Sequence, residues 1–322
     1  MALLNNDTQV HTFAEGLDHP EGIAWGLDGN IYAGGEAGQL YRISLDGKKV
    51  VEFANTGGFI LGIALDVANN IYACDIGNRC IQRITPGGIV TIYSTGSPDE
   101  MFTTPNYLVF DGEGNLYVCD SGEWKSDNGK IFKIRPGGST EVWDRRLKEF
   151  PNGVCLGPGG KYLAVAMSLN PPRVAKIMID ENGLAGEIET MVNLPGTVPD
   201  GVAFAEDGDL YIACYRPDRI YRFTTSGNLS IVAEDQEGTA MACPTNIAFC
   251  GRDLDMFLAP NLGRWHITRY EVGKNGFLGR FCSKFWSKRY SIKLHFPTSN
   301  LFLKNFPTEP DPLVFFFETA VV

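Results

Sequence analysis

Short runs of alternating hydrophobic and polar residues recur along the chain and predict β-strands. Examples are NIYAGG, NIYACD, NLYVCD and DLYIAC, each of which follows a turn of Gly, Asp or Asn residues. A period of two places one face of each run against a core and the other face outward. These segments lack the 3.6-residue period of an amphipathic helix, so the pattern predicts an all-β protein.

A strand signature recurs six times, at intervals of about 40 to 48 residues. Its copies are HPEGIAW (19–25), ILGIAL (60–65), TPNYLVF (104–110), FPNGVCL (150–156), VPDGVAF (198–204) and CPTNIAF (243–249). Further short strands follow each copy and bring most repeats to four strands, as in one blade of a β-propeller. We therefore predict a six-bladed β-propeller. A β-sandwich is the alternative, but it does not predict a period.

The two ends of the repeat region complement each other. The sixth repeat stops after its third strand, WHITRYEVG, whereas VHTFAEGL near the N-terminus resembles a fourth strand that no earlier strand precedes. Pairing these two segments would complete the sixth blade and remove two exposed sheet edges. We therefore predict a propeller over residues 1–273 that is closed by its N-terminal strand.

The last segment, residues 274–322, departs from the repeat. It carries seven Lys and Arg against three Asp and Glu, and it has eleven aromatic residues. We expect a non-propeller tail that is poorly ordered or an artefact of the gene model, such as a misread reading frame or a retained intron. A basic amphipathic segment for a membrane surface is the alternative.

One variable position should recur around a rim of the central channel, because the first strand of every blade lines that channel. It is occupied in turn by Glu21, Leu61, Asn106, Asn152, Asp200 and Thr245. Carboxylate and amide oxygens suit a hard cation. Two carboxylates about 5 Å apart would repel by roughly 3 kcal/mol, and a bound divalent ion would offset this. Alternatively, these residues serve only to form a turn, since Asn and Asp after Pro are common turn formers. This alternative accounts poorly for Glu21.

The motifs HPEGIAW, NLYVCDSGEW, FPNGVCLGPGG and VPDGVAFAEDGDLYIACYRPDRIYRF resemble those of the senescence-marker-protein, gluconolactonase and luciferin-regenerating-enzyme family. The resemblance implies a six-bladed propeller that binds Ca²⁺ or another divalent cation in its channel, with hydrolase members that act on lactones. It implies Glu21, Asn106, Asn152 and Asp200 as metal ligands, Asp200 as catalytic general base and Asn106 as a substrate contact. The arginine that precedes this Asn in animal gluconolactonases is absent, which argues against a sugar lactone.

The leading hypothesis is a metal-dependent hydrolase of small lactones, in which a metal-activated water attacks the ester carbonyl in the central channel. Ca²⁺ is the favoured ion, with Zn²⁺ or Mg²⁺ as alternatives. The rival hypothesis is a non-enzymatic binding propeller that a cation stabilises. Asp120 is a candidate substrate-binding residue, although an Asp before Ser-Gly also caps turns. Trp124, in the loop that follows, is a candidate wall of the pocket or an ordinary surface residue.

Composition narrows the partners and the compartment. The 322 residues carry a formal charge of -10. Proteins that bind nucleic acid need an excess of Lys and Arg, so we expect a small-molecule substrate and no nucleic-acid partner. The sequence contains no run of eighteen apolar residues, so it predicts no transmembrane segment. No N-terminal secretory segment is visible either. The eight cysteines do not cluster as in a secreted disulfide scaffold. We expect a cytoplasmic location, while the oligomeric state is not predicted.

Overall fold

The structure is a computed structural model that describes residues 3–4 and 10–277. These residues form strands and turns, without a helix. In this part of the chain, therefore, no helix is present that could cross a membrane. The predictions for the tail fall almost entirely on residues 278–322, which lie outside the described residues.

Six antiparallel sheets, each built on four strands, succeed one another along the chain, which confirms the predicted six-bladed propeller. The strands of blade 1 are β3 (Ile23–Trp25), β4 (Ile31–Gly34), β5 (Gln39–Ile43) and β6 (Val50–Asn55). Those of blade 2 are β7 (Ile60–Leu65), β8 (Ile71–Asp75), β9 (Cys80–Ile84) and β10 (Val90–Ser94). Those of blade 3 are β13 (Pro105–Phe110), β14 (Leu116–Asp120), β15 (Lys130–Ile134) and β16 (Thr140–Asp144).

The second half of the ring continues the same order. Blade 4 contains β17 (Pro151–Leu156), β18 (Tyr162–Met167), β19 (Arg173–Ile179) and β20 (Ala185–Asn193). Blade 5 contains β21 (Val198–Phe204), β22 (Leu210–Arg216), β23 (Arg219–Phe223) and β24 (Leu229–Glu234). Blade 6 contains β25 (Ala248–Cys250), β26 (Met256–Pro260), β27 (His266–Tyr270) and β2 (Val10–Glu15).

Three short strands supplement the blades. The pair β11 (Gly96–Ser97) and β12 (Glu100–Met101) forms a hairpin in the connection between blades 2 and 3. The strand β1 (Leu3–Leu4) adds a fifth strand to the outer edge of blade 5, where it pairs with β24. The N-terminal segment therefore contacts two neighbouring blades.

The N-terminal strand closes the ring, as the sequence predicted. Strand β2 pairs antiparallel with β27, from Val10 opposite Tyr270 to Glu15 opposite His266. It supplies the fourth strand that the sixth repeat lacks. Blade 6 is consequently assembled from both ends of the propeller, and β27 is no longer an open sheet edge.

A hydrophobic cluster fills each of the six interfaces between neighbouring blades in the described residues. The cluster between blades 6 and 1 includes Leu17, Ile23, Ile43, Leu258 and Ile267, all of which are buried. Full burial of one such side chain stabilises a protein by about 1.5–3 kcal/mol. The ring is therefore closed by apolar packing as well as by the hydrogen bonds of β2.

The inner strands of adjacent blades approach each other closely at glycines that follow two rim residues. A Cβ atom at Gly22 would lie 2.0 Å from the carbonyl oxygen of Leu61. One at Gly153 would lie 2.2 Å from the carbonyl oxygen of Asp200. Any larger residue would push neighbouring blades apart, so the narrow channel requires glycine at these positions.

The start of each first strand lies beside the end of the second strand of its blade. In blade 3 Pro105 pairs with Asp120, and in blade 2 Ile60 pairs with Asp75. The loop that enters the first strand and the loop that leaves the second strand therefore lie on one side of the propeller. We call the side formed by these two sets of loops the entrance face. The rim residues lie just inside it.

The chain continues past the last strand onto blade 5. The backbone N–H of Phe277 donates to the carbonyl oxygen of Phe204 at 2.9 Å, and that of Glu206 donates to the carbonyl oxygen of Asn275 at 2.9 Å. Lys274 forms an ion pair with Asp207. Contacts with the propeller therefore extend through Phe277, four residues beyond the boundary predicted at 273.

Candidate metal centre

The rim residues predicted from the sequence are buried at the start of the first strands. The four that carry oxygen donors, Glu21, Asn106, Asn152 and Asp200, are between 3% and 5% exposed. Leu61 and Thr245 complete the rim and are also buried. Because a buried polar atom is expected to have a partner, the contacts of the four donors indicate what the site can hold.

The carboxylates of Glu21 and Asp200 interact with each other inside the channel. Burial raises the pKa of Glu21 well above its ordinary value, and the negative charge of Asp200 raises it further. Burial also raises the pKa of Asp200, to about 7, although a hydrogen bond from Asn152 lowers it. Near neutral pH the two carboxyl groups therefore either keep a proton or carry negative charge that is unfavourable in a buried site. A bound cation would neutralise this charge and allow both groups to ionise.

The two rim asparagines are held by the same arrangement in successive blades. Asn106 Nδ2 donates to Ser121 Oγ at 3.0 Å, and Ser121 Oγ donates to the carbonyl oxygen of Pro151 in blade 4 at 2.7 Å. Likewise, Asn152 Nδ2 donates to Ser168 Oγ at 3.3 Å. Ser168 Oγ donates in turn to the carbonyl oxygen of the next rim proline, in blade 5, at 2.6 Å. We call these two arrangements the serine relays.

The serine relays determine which end of each amide faces away from the serine. A proline carbonyl only accepts, so the serine gives its single hydroxyl hydrogen to it and must accept a hydrogen bond from the asparagine. The amide nitrogen therefore faces the serine. The Oδ1 atoms of Asn106 and Asn152 are buried and lack a hydrogen-bond partner within residues 10–277, and the same holds for Asp200 Oδ1.

Blade 6 contributes a residue that the sequence analysis did not identify. Asn246 Nδ2 donates to the carbonyl oxygen of Glu21 at 3.1 Å and to Glu21 Oε2 at 3.3 Å, while Thr245 Oγ1 donates to the same carbonyl at 2.9 Å. These bonds hold Glu21 across the seam where the ring closes. The signal was present in the repeats, because Asn246 occupies the position that is Gly22 in the first repeat and Gly201 in the fifth.

The donor set fits a divalent cation. Unpartnered buried Oδ1 atoms belong to Asn106, Asn152, Asp200 and Asn246 in the described part of the chain. An unsatisfied buried acceptor costs about 1–3 kcal/mol, and a cation beside the carboxylate pair would satisfy such oxygens while neutralising the charge. Oxygen ligands alone, without thiolate or imidazole, match the preference of Ca²⁺ or Mg²⁺ more closely than that of Zn²⁺.

Asp120, predicted as a substrate-binding residue, is fully buried and bonded to backbone. Its carboxylate accepts the N–H groups of Thr103 at 2.6 Å, Thr104 at 2.9 Å and Gly122 at 3.0 Å. Asp75 caps the corresponding loop of blade 2 in the same way. These contacts are those of the turn cap, the alternative left open for Asp120. A contact of Asp120 with substrate stays a prediction.

Comparisons with known proteins agree with the motifs in the sequence. The model of the SMP-30/gluconolactonase/LRE-like region matches residues 89–259, and that of the strictosidine synthase-like N-terminal region matches residues 8–43. The protein strictosidine synthase-like 4 of Arabidopsis thaliana is 28% identical over 234 residues, which cover 67% of this chain and 60% of the relative. Lactonase drp35 of Staphylococcus haemolyticus is 23% identical over 226 residues, which cover 64% and 66%.

Solved structures share the fold. A gluconolactonase of Xanthomonas campestris superposes with a TM-score of 0.71 at 16% identity, over 83% of this chain and 90% of that one. Regucalcin of Agrobacterium tumefaciens, a calcium-binding protein, gives 0.67 at 16% identity, over 82% and 93%. This chain spans between 43% and 66% of the length of the curated relatives that it matches.

Proposed function

Because the chain belongs to the SMP-30/gluconolactonase/LRE-like family, we propose that it is a divalent-metal-dependent hydrolase of small lactones. The observation that carries this proposal is the buried Glu21 and Asp200 pair, together with amide oxygens that lack partners in the described residues. The lactonase drp35, which matches across most of the propeller, supports the choice of ester chemistry.

The proposed ion ligands are Glu21, Asn106, Asn152 and Asp200. A divalent cation held there would act as a Lewis acid toward an ester carbonyl. We propose Ca²⁺ because all four side chains offer oxygen, with Mg²⁺ and Zn²⁺ as alternatives. The serine relays hold the amides of Asn106 and Asn152 so that their oxygens face away from the serines, which reduces the reorganisation needed on binding.

Asp200 is the proposed general base. Its Oδ1 atom is buried and makes no hydrogen bond to residues 10–277, so it can accept a proton from the water that attacks the ester. Glu21 is held in place by Asn246 and supplies the second negative charge. The amide oxygen of Asn106 is the proposed contact with both ion and substrate. The low-dielectric surroundings strengthen each of these interactions relative to water.

A cytoplasmic location remains part of the proposal. The cysteines in the described residues are all unpaired, and six of these seven are buried. Free buried thiols agree with a reducing compartment. Immunolocalisation of the full chain, or fractionation of the cells that produce it, tests this point.

A lactone panel assayed with and without chelator tests the proposed function. We expect turnover that is lost on chelation, restored by added Ca²⁺ and reduced by at least 100-fold in Asp200→Asn, while the exposed Asp253→Asn serves as control. A binding propeller with a structural cation would take up the ion and hydrolyse no lactone. Turnover that survives chelation would also contradict the proposal.

A further inference from the structure

The exposed Trp and Tyr side chains of the described residues occur at one kind of position, the end of the second strand of a blade or the loop that follows it. In the described part of the chain they are Trp124, Tyr215 and Trp265, with 52%, 36% and 58% of their surface exposed. Each lies at or just after the end of the second strand, in blade 3, blade 5 and blade 6 respectively. Those strand ends belong to the entrance face, so three large aromatic surfaces are exposed on the side of the propeller where the rim residues lie.

Two of these aromatic residues pack against residues that directly precede the rim. The ring of Trp124 meets that of Phe150 edge to face, with centroids 4.8 Å apart. The ring of Trp265 meets that of His19 at 5.7 Å. Phe150 is two residues before Asn152, and His19 is two residues before Glu21. The loop aromatics therefore lie beside the segments that carry two proposed ligands.

The third aromatic residue repeats this relationship. Tyr215 interacts electrostatically with Cys243, which is two residues before the rim residue Thr245. Cys243 has φ of 49°, and the equivalent residues of the other two contacts, Phe150 and His19, have φ of 61° and 41°. The left-handed region is uncommon for residues other than glycine. The same unusual backbone thus occurs at all three contacts.

Several polar side chains near the entrance face already have partners, whereas the three aromatic side chains remain exposed. Asp120 accepts three backbone N–H groups, and Arg216 is paired with Asp218. The ring of His19 lies 2.9 Å from Asp18 and 3.2 Å from Glu36. A polyhydroxylated ligand could bind these polar groups only by replacing the hydrogen bonds and ion pairs that they already form. A flat apolar ring would instead bury aromatic surface without breaking a hydrogen bond.

There is room for such a ring beside one of the tryptophans. Trp265 lines a cavity of about 530 Å³ on the entrance face, together with Glu15, Thr239, Arg264 and His266. Volumes of this size are typical of small-molecule sites. Because the three aromatic residues come from different blades and one of them lines this cavity, their placement suits a small ligand more than one flat protein surface.

We propose that Trp124, Tyr215 and Trp265 form an aromatic entrance that selects lactones fused to, or substituted by, an aromatic ring. This inference rests on the proposed function, because the ester must reach the metal centre while its ring contacts the entrance. The lactone carbonyl lies toward Asn106 and Asp200, and the aromatic part lies against the tryptophans. The aromatic residues contribute binding and specificity and leave the proton transfer unchanged.

Two lactones that differ by one fused benzene ring test this selectivity. Dihydrocoumarin and δ-valerolactone share the six-membered lactone, and the ratio of variant to wild-type kcat/KM removes their difference in intrinsic reactivity. We expect Trp124→Ala and Trp265→Ala to lower kcat/KM for dihydrocoumarin about tenfold, mainly through KM, and that for δ-valerolactone less than twofold. Leu184→Ala is the matched control, because Leu184 is 57% exposed in the outer hairpin of blade 4.

The outcomes separate this inference from the proposed function. An equal loss for both lactones, or no loss, overturns the aromatic entrance while leaving the hydrolase intact. If the wild type hydrolyses neither lactone, the proposed function fails, and saturation-transfer NMR of dihydrocoumarin then decides the entrance alone. Signal that is retained in Leu184→Ala and lost in the double tryptophan variant supports it. Equal signal in both variants, or none with the wild type, overturns it.

Discussion

The carboxylates of Glu21 and Asp200 interact inside the channel, although the two residues belong to blades 1 and 5. Burial holds the pKa of both above ordinary carboxyl values, and that of Asp200 is about 7. A carboxyl whose pKa is raised by folding stabilises the fold below its unfolded pKa, and this contribution is lost as the pH rises through the folded value.

We therefore expect the free energy of unfolding of chelated protein to fall between about pH 4, near the unfolded carboxyl pKa, and about pH 8, above the folded pKa of Asp200. The loss is roughly 1.4 kcal/mol for each unit by which a pKa is raised. Urea unfolding with chelator across this range measures it. Asp200→Asn should flatten the profile and raise the stability of chelated protein at about pH 8. A wild-type profile that rises toward alkaline pH would contradict the buried pair.

The serine relays should matter for ion affinity more than for folding. Ser121→Ala or Ser168→Ala removes the acceptor that holds the neighbouring amide nitrogen, so the amide oxygen is no longer fixed before binding. A net hydrogen bond is worth about 0.5–1.5 kcal/mol, which corresponds to a loss of up to about tenfold in Ca²⁺ affinity. Calorimetric titration measures this.

The exposed Ser230→Ala is the control for the relays. The double variant Ser121→Ala with Ser168→Ala should lose more affinity than either single variant. Its side-chain amide signals for Asn106 and Asn152 should shift in NMR spectra of the chelated protein. Unchanged affinity together with unchanged amide signals would show that the relays do not orient the asparagines.

The glycine after Glu21 should be intolerant of any side chain. The new methyl group of Gly22→Ala would overlap the carbonyl oxygen of Leu61, and overpacking of this kind destabilises by about 1–3 kcal/mol. Gly87→Ala is the control, because its nearest neighbour, Thr85 Oγ1, lies 3.7 Å from the added atom. Chemical denaturation compares the two. Equal stability in both variants would contradict the close approach of blades 1 and 2.

Closure by the N-terminal strand predicts different effects for two truncations. Removal of residues 1–9 takes away only β1, whereas removal of residues 1–15 takes away β2 and exposes the edge of β27. We expect the shorter truncation to unfold cooperatively near the wild-type midpoint. The longer one should lose cooperativity or aggregate. Light scattering and thermal unfolding record both, and a stable monomer lacking residues 1–15 would refute closure by this strand.

The period of the sequence predicted the fold because each blade is one repeat with the same local pattern. It also predicted the rim, since circular symmetry brings equivalent positions such as Glu21 and Asp200 together. The serine relays could not be predicted in this way. Ser121 and Ser168 follow second strands, and their role depends on a carbonyl in the next blade.

The residue type alone also could not decide the role of Asp120. A carboxylate can bind substrate or cap a turn, and the choice depends on which N–H groups surround it. Asn246 was not predicted because it follows the variable rim position, where the equivalent residue is Gly22 in the first repeat and Gly201 in the fifth. The aromatic entrance likewise depends on contacts between loops of different blades, such as that of Trp265 with His19, which no local pattern encodes.

The most direct test of the metal centre is the number of cation equivalents bound by purified protein. Chelated wild type is titrated with Ca²⁺, Mg²⁺ and Zn²⁺ in a calorimeter, beside Glu21→Gln, Asp200→Asn and the control Asp253→Asn. We predict one tightly bound equivalent in the wild type and the control, and its loss in both rim variants. A wild type that binds no ion, or rim variants that bind one with unchanged affinity, would contradict the account.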